Sequence, residues 1–554
     1  MKLSRFPLLN HSRALPLIDA IIPLVYIIGV LTLMPLRTQF EFDTDEGLNL
    51  MKAVLVGEGY TLYRDIWNDQ PPLFTVLLSA GFTVFGQSIL VARLLVLAFG
   101  SLLVYCFHRL LRLSVGLIPA IAGTLLLISS YEFIRLSSSV MIGIPSLALA
   151  LLSLVLMVQY QHGYRPKFQH QMPKGDRPNY HSLWLYASGF CFAASLQTKL
   201  ITVVLIPLFC LHLLTPKLLG INPFPFQSIT SVLQGNLNAL KRNTFIPTPD
   251  HYRDDLVWLL CLGISFGIMG LSLHYFHLDQ VVTTHLQSRQ GIEDFERRSV
   301  SLSHLIHETV THDWRIYGLA GFGSAVALVG RHRRAMIPGL WLLTVFLVFI
   351  DHQPIWYHYG PLLLIPFCWL AAYSMIPLVR FLEGITTQTM RTNSRANSTN
   401  RLQQIAFWLV GYIGLLSIAI VGMEVAGAIA ALRPYANPEG PSARMELVQA
   451  IQREGEDTQW LFTDTPLYGF YAKVTVPPEL VVFSKKRRLT GQLTNEMILE
   501  LMQSYAPKQI LFTRFTREIV EQKSIAHYLN QHYRRVTVER DSKTEYFVKK
   551  TVNG

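Results

Sequence analysis

Between positions 37 and 88 the sequence gathers seven carboxylates: Glu41, Asp43, Asp45, Glu46, Glu58, Asp65 and Asp69. A carboxylate can take a proton from a hydroxyl, and it does this best when its surroundings bring its basicity toward neutrality. Asp45 suits that task, because the acids begin just after an apolar run and so hold it beside a bilayer in a chain poor in charge. Behind it, Leu48, Met51, Val54 and Leu55 recur at helical spacing. This predicts a short amphipathic helix along the membrane surface, starting at the acids. Asp43 and Glu46 have the spacing of a capping box, and acids are favoured at a helix N-terminus by its dipole. For those two, a cap and a functional role stand level.

The elements that must position these acids are apolar. Of 554 residues, 51% are hydrophobic and 15% charged, where soluble domains average about 25% charged. Eleven apolar windows read as spans or as the apolar cores of spans. They lie near Leu15–Leu36, Ile89–Phe107, Leu117–Phe133, Val140–Tyr160, Leu183–Leu196, Leu200–Leu214, Leu256–Tyr275, Ile316–Val329, Met336–Ile350, Gly360–Val379 and Ile405–Ala431. Pro71–Phe85 is apolar but short and opens on two prolines, which suits a second interfacial helix in the same loop. With that segment outside the count, Lys and Arg concentrate in one set of loops, with Arg331, Arg333 and Arg334 the densest knot. The positive-inside rule then puts the N-terminus in the cytoplasm and residues 37–88 and 432–554 outside. The formal charge of +12 is thus a topology signal rather than a nucleic-acid footprint.

The expected architecture is an α-helical polytopic membrane protein with about eleven spans and a small C-terminal α/β domain. Its parts are a transmembrane region 1–431, which includes the loop 37–88, and a polar region 432–554. In the polar region, strands are expected at Trp460–Thr463, Gln509–Thr513, Arg535–Glu539 and Glu545–Val548, among helices near Ser442–Arg453, Asn495–Ser504 and Thr516–Tyr533. Cys106, Cys191, Cys210, Cys261 and Cys368 all fall in apolar segments, so no disulfide framework is expected.

Asp45-Glu46 after the first span, the surface helix, the stretch Gly57–Tyr63, Pro71-Pro72-Leu73, Phe85-Gly86 and Ala92-Arg93-Leu94 together resemble the C-type (GT-C) integral membrane glycosyltransferases. The likeness is strongest to the protein O-mannosyltransferase and lipid A aminoarabinose transferase group. Asp464-Thr465-Pro466, Tyr468–Tyr471, Pro477-Pro478-Glu479-Leu480 and Ser484-Lys485-Lys486-Arg487 extend it into the C-terminal region. The resemblance implies eleven to thirteen spans, two surface helices in the first external loop and an external C-terminus. It implies transfer of a sugar from a polyprenyl-phosphate-linked donor, with inversion and no nucleotide sugar. Asp45 would orient and deprotonate the acceptor hydroxyl, and Glu46 would be its weaker partner.

A phosphate leaving group needs positive charge or hydrogen-bond donors beside it. Lys199 interrupts an apolar hairpin at its external end and could contact the donor phosphate, or snorkel to the interface. Arg64 in the first loop and Arg93 at the start of a span are weaker candidates, since a solvated charge and a helix anchor account for them. His352, His358 and Tyr359 resemble the family's His-x-Pro-x-x-x-His-Tyr region near the donor, against a reading as an interfacial aromatic belt. No ligand spacing points to a metal, and no cofactor is expected.

Two departures from the family stand out. Gln70 occupies the place before the paired prolines where many relatives carry a basic residue or His, and Gly143 sits where some carry a second acid. The competing reading is a transporter or lipid flippase without transferase activity, against which stands the absence of repeats and of midplane charges. The expected partners are membrane lipid, the polyprenyl-phosphate-linked sugar and an acceptor protein, lipid or glycan, with no nucleic acid. The expected location is a bacterial plasma membrane.

Overall fold

The computed structural model describes residues 15–163, 180–219, 249–273, 301–351, 355–391, 401–436, 443–454, 458–536 and 544–550. His352 therefore lies outside the described residues, as do most of the expected loops 161–182 and 215–255. Each of the eleven apolar segments is helical over most of its described length. Among the described residues, six helices are long and apolar enough to cross a membrane, or seven if one bent pair counts as a single span. The chain is an integral membrane protein.

The helices that build the site region are α1 (Leu15–Leu33), α2 (Glu46–Gly57), α3 (Leu73–Phe85), α4 (Ile89–Val115), α5 (Leu117–Ser129), α6 (Tyr131–Ser138) and α7 (Gly143–Gly163). Later helices pack around α4, α5 and α7 over a core that includes Leu103, Phe107, Leu151, Phe192, Trp258 and Trp369. Small and hydroxyl residues make the close contacts, as expected where lipid supplies no hydrophobic drive between helices. The hydroxyls of Ser153 and Ser188 donate to each other's carbonyls across α7 and helix Tyr180–Thr198, at 2.7 and 2.9 Å. A Cβ on Gly323 would fall 2.1 Å from the Leu370 carbonyl oxygen, so glycine there lets helices Leu302–Val329 and Pro361–Ala372 meet backbone to backbone.

One expected span is not straight. The segment from Leu117 breaks at Ser130, whose backbone is extended, and α5 and α6 meet at 67°. The Ser130 hydroxyl donates to Asp313 at 2.8 Å, pinning the bend to helix Leu302–Val329. Residues 134–139, expected as a loop, belong mostly to α6, which buries Phe133, Ile134 and Leu136 and carries Arg135 toward the first loop.

The C-terminal region forms a four-stranded sheet of order β1-β2-β4-β3, with β1 (Leu461–Thr463) parallel to β2 (Gln509–Phe512). β4 (Glu545–Lys549) runs antiparallel to both β2 and β3 (Tyr533–Val536). Helices Ala443–Arg453, Asn495–Tyr505 and Lys523–His532 are among those that flank it. β3 begins two residues earlier than its expected strand, because Tyr533 pairs with Lys549 and buries its ring.

The apolar side of α2 is covered by protein. Leu50, Met51 and Leu55 share one buried cluster with Phe74 and Leu78 of α3 and with Leu467, Tyr468 and Phe470 of helix Pro466–Ala472. A Cβ on Gly47 would lie 2.6 Å from the Leu467 backbone nitrogen, so only glycine lets the two helices approach this closely.

Candidate active site

Sorting the seven acids of the first loop by partner and by burial isolates one. Glu41 pairs with Arg444, Asp65 with Arg64 at 2.9 Å and Asp69 with Lys486 at 3.0 Å. Asp43 is buried, accepts from the Tyr357 hydroxyl and lies 3.3 Å from Arg135. Glu46 is wholly buried against Arg93, with N–O distances of 2.8 and 3.0 Å. Glu58, at the far end of α2, lines an open groove of about 200 Å³ with Ser79, Thr83 and Gln87. Among the described residues, the carboxylates of Asp45 and Glu58 have no hydrogen-bond or ion-pair partner; Glu58 is exposed, whereas Asp45 is half-buried at the start of α2.

Local backbone explains why. Asp45 is the N-cap residue of α2, but its backbone is helical rather than extended, and its side chain caps nothing. The expected capping box is therefore replaced. Asp43 accepts the Asp45 backbone N–H at 3.0 Å, while Glu46 reaches outward to accept from the Phe42 and Val140 N–H groups at 2.8 and 2.9 Å. The half-buried Asp45 carboxyl is pushed up to about 6, chiefly by burial and secondarily by the Asp43 carboxylate, against the opposing pull of Arg514 and Lys199. A carboxylate so tuned is ionised near neutrality yet basic enough to accept a proton.

Lys199 is the cation facing it from the membrane-embedded part. It lies in the connection after helix Tyr180–Thr198, with its ammonium 4.6 Å from the centre of the Tyr359 ring. Its backbone is fixed: the Lys199 N–H donates to the Ser195 carbonyl at 2.9 Å, and the Thr202 hydroxyl donates to the Lys199 carbonyl at 3.1 Å. The Ser195 and Ser146 hydroxyls tie this turn to α7, each donating to the other's carbonyl at 2.8 and 2.9 Å. Lys199 is 5% exposed and, among the described residues, has no carboxylate within ion-pair distance. Burial pulls its ammonium down to about 8, while Asp45, Asp69 and Asp43 favour the charged form. A Cβ on Gly143 would sit 4.0 Å from Lys199 Nζ and 3.6 Å from the His358 carbonyl oxygen. Glycine at that place puts no side chain against the nearly buried ammonium.

The other sequence candidates separate clearly. His358 and Tyr359 flank Lys199, and the His358 ring packs edge-on against Tyr357 and Tyr359. Arg93 does not face the site: it is wholly buried, and besides Glu46 it donates to the carbonyls of Leu36, Gln39 and Phe40 at 2.9, 2.8 and 3.3 Å. Arg93 and Glu46 together fix the entry to α2 on α4. Arg64 is 71% exposed and lies against its neighbour Asp65, a solvated pair of small energetic weight.

Several residues near the site escaped sequence reasoning. Arg135 and Glu132 are the only charges in an apolar stretch of more than forty residues, a signal that was available. Lys52 is buried on α2 and donates to Asn68 at 3.2 Å; burial pulls it down to about 8, against Asp69 and Asp45. Tyr357, Lys486 and Arg514 are brought in only by tertiary contacts.

Residues 36–233 match the family described as dolichyl-phosphate-mannose-protein mannosyltransferase. No curated protein matches the chain in sequence. In fold the chain is similar to ArnT from Cupriavidus metallidurans bound to undecaprenyl phosphate, at 14% identity and a TM-score of 0.58, over 98% of this chain and 99% of that one. It is also similar to the oligosaccharyltransferase AglB from Archaeoglobus fulgidus in complex with an inhibitory peptide and a dolichol-phosphate. That likeness has 10% identity and a TM-score of 0.53, over 98% of this chain and 75% of that one. With Asp45-Glu46 at the mouth of its first loop and this fold around it, the chain resembles the C-type membrane glycosyltransferases of the protein O-mannosyltransferase and ArnT group.

Proposed function

We propose that the protein is an inverting membrane glycosyltransferase that moves a sugar from a polyprenyl-phosphate-linked donor to an acceptor hydroxyl at the outer face of the membrane. The observation that carries this reading is the unpartnered, half-buried Asp45 carboxylate and, within reach of its charge, a nearly buried Lys199 that has no carboxylate partner among the described residues. The ArnT and AglB structures that share its fold hold undecaprenyl phosphate and dolichol-phosphate respectively.

The chemistry follows from these two groups. Asp45 accepts the proton of the acceptor hydroxyl as its oxygen attacks the anomeric carbon. The bond from that carbon to the phosphate oxygen breaks, and its electron pair leaves with the polyprenyl phosphate. Charge that grows on the leaving phosphate is met by the Lys199 ammonium, which lies over the Tyr359 ring on a backbone held by the Ser195 and Thr202 hydrogen bonds. A phosphate leaves without a proton, so one base is enough, and a single displacement inverts the configuration. His358 and Tyr359 line the donor side, while Glu46 acts through position: its pairing with Arg93 sets where Asp45 begins α2. Reconstituted full-length protein supplied with polyprenyl-phosphate mannose or aminoarabinose and a mixed lipid and peptide acceptor pool tests the reading. Transfer that D45N abolishes supports it; undiminished transfer by D45N overturns the role of Asp45.

A further inference from the structure

Asp45 and Lys199 stand on distant parts of the chain, and each has its own support. Glu46 and Arg93 seat the start of α2 on α4, while the Ser195 and Ser146 hydroxyls seat the Lys199 turn on α7. These supports act on each group separately. A chain of contacts that joins the two runs through the short turn Tyr357–Tyr359.

It begins at Asp43, which is 3% exposed and uses both carboxylate oxygens. Oδ1 accepts the Asp45 N–H at 3.0 Å, while Oδ2 accepts from the Tyr357 hydroxyl and from Arg135 at 3.3 Å. The Asp43 carbonyl also accepts the Glu46 N–H at 3.1 Å, so the first turn of α2 hangs on this residue twice. Just beyond Tyr357, the Tyr359 ring centre lies 4.6 Å from Lys199 Nζ. The turn between them is closed by the Tyr359 and Gly360 N–H groups, which donate to the Trp356 and Tyr357 carbonyls at 2.9 and 2.7 Å. From the Asp45 backbone to the Lys199 ammonium the contacts are unbroken.

Helix α6 backs this turn. The Arg135 guanidinium lies 4.5 Å from the centre of the Tyr357 ring and pairs with both Glu132 oxygens at 3.0 Å. A Cβ on Gly360 would lie 3.8 Å from Glu132 Cγ, so the end of the turn rests against α6. An arginine suits the place, because its planar fork holds Glu132 and Asp43 at once and stacks on an aromatic face. The result is a node of three elements, the first loop, α6 and the 357–359 turn, gathered on the carboxylate that carries the Asp45 N–H.

Resting on the transferase reading, we propose that the Tyr357–Tyr359 turn fixes the separation of the base and the donor cation, with Tyr357 and Arg135 as positioning residues that act through Asp43. The displacement needs the acceptor oxygen, the anomeric carbon and the leaving phosphate oxygen in line, so the proton acceptor and the phosphate's cation must keep one spacing. Without the grip of the turn on Asp43, both groups stay on their own supports and still meet their substrates, but their register loosens. The loss therefore falls on kcat.

The test compares full-length wild type, Y357F, R135Q and R135K in phosphatidylcholine liposomes, with polyprenyl-phosphate mannose or aminoarabinose as donor and a mixed lipid and peptide acceptor pool. Y357F keeps the ring under Arg135 and removes only the hydroxyl. It should lower kcat about 10- to 100-fold, the scale of a misplacement of about 1 Å, and change the donor KM less than about twofold, the opposite split to K199Q. R135Q should do the same, and R135K should recover part of the rate by returning a charge to Asp43 without the fork. A rise in donor KM with kcat intact overturns the proposal, as does an R135K no faster than R135Q. Hydrogen exchange without substrates gives a second readout. In Y357F the backbone over residues 43–48 should exchange faster while α3 and the C-terminal sheet keep their wild-type rates. Unchanged exchange there overturns the proposal, and acceleration along the whole chain assigns Tyr357 to the fold and overturns it too. Exchange needs no turnover, so an absence of transfer by the wild type counts against the transferase reading alone.

Discussion

Asp45 and Glu46 are adjacent carboxylates with opposite environments, and the contrast divides the first loop into a structural side and a reactive side. Glu46 points into protein, where Arg93 and two backbone N–H groups use both of its oxygens. Asp45 points away and keeps its oxygens unclaimed among the described residues. One step along a helix start turns a side chain by about 100°, enough to send neighbours to different surroundings. The same division recurs among the cations: Arg93 is consumed by the loop's own carbonyls, while Lys199 is mounted on a hydrogen-bonded turn and left open. Full pairing makes a group a fixture, whereas burial without pairing leaves it free to act on a substrate.

The comparison breaks most visibly at Asp45. Its replacement by Asn should lower the transfer rate by about 10²- to 10⁴-fold, the usual contribution of a general base, with thermal stability unchanged. Glu46→Ala should do the reverse. Removing one partner of a buried pair costs about 3–5 kcal/mol, so a drop in the unfolding midpoint should accompany any loss of activity, and the same holds for Arg93→Ala. Should E46A stay fully stable while activity vanishes, Glu46 belongs to the reactive side after all.

Lys199→Gln should raise the KM for the lipid donor roughly 10- to 100-fold, the worth of one charge-assisted hydrogen bond, and leave acceptor binding intact. Gly143→Asp should act in the same direction by placing a carboxylate on Lys199, and K199Q should then be insensitive to it.

The pH profile sharpens the pairing. Asp45 works when deprotonated, so kcat/KM should climb as pH rises through about 6, and Lys199 works when charged, so it should fall again through about 8. Buffers spanning pH 5 to 9 would show this bell, and a flat profile would contradict both assignments. The smallest effect belongs to Arg64, exposed and paired with its neighbour, where Arg64→Gln should change transfer less than about twofold.

Much of this was legible in the sequence. The helical segments followed from hydropathy alone, because a bilayer admits few other ways to satisfy a backbone. Three of the four strands started within one residue of their expected positions, since a short, continuously buried apolar run such as Gln509–Phe512 is a local pattern. Asp45 stood out by its charge beside an apolar run. Less legible were the features set by partners distant in the chain. The capping box read from Asp43 and Glu46 gave way to Tyr357, Arg135 and Arg93, which offer stronger charged contacts than a helix end does. The bend at Ser130 depends on Asp313, far along the chain, and could not be read from the apolar run it interrupts.

The sequence by itself determined that this is a membrane protein with seven of its 36 carboxylates in the loop after the first apolar segment, because the cost of burying charge in lipid is paid residue by residue and shows in composition. Only the tertiary structure decided which of those acids is free. A carboxylate's reactivity is set by the donors within hydrogen-bond reach, and here those come from α4, α6, the 355–359 turn and the C-terminal domain, none of them adjacent to it in sequence.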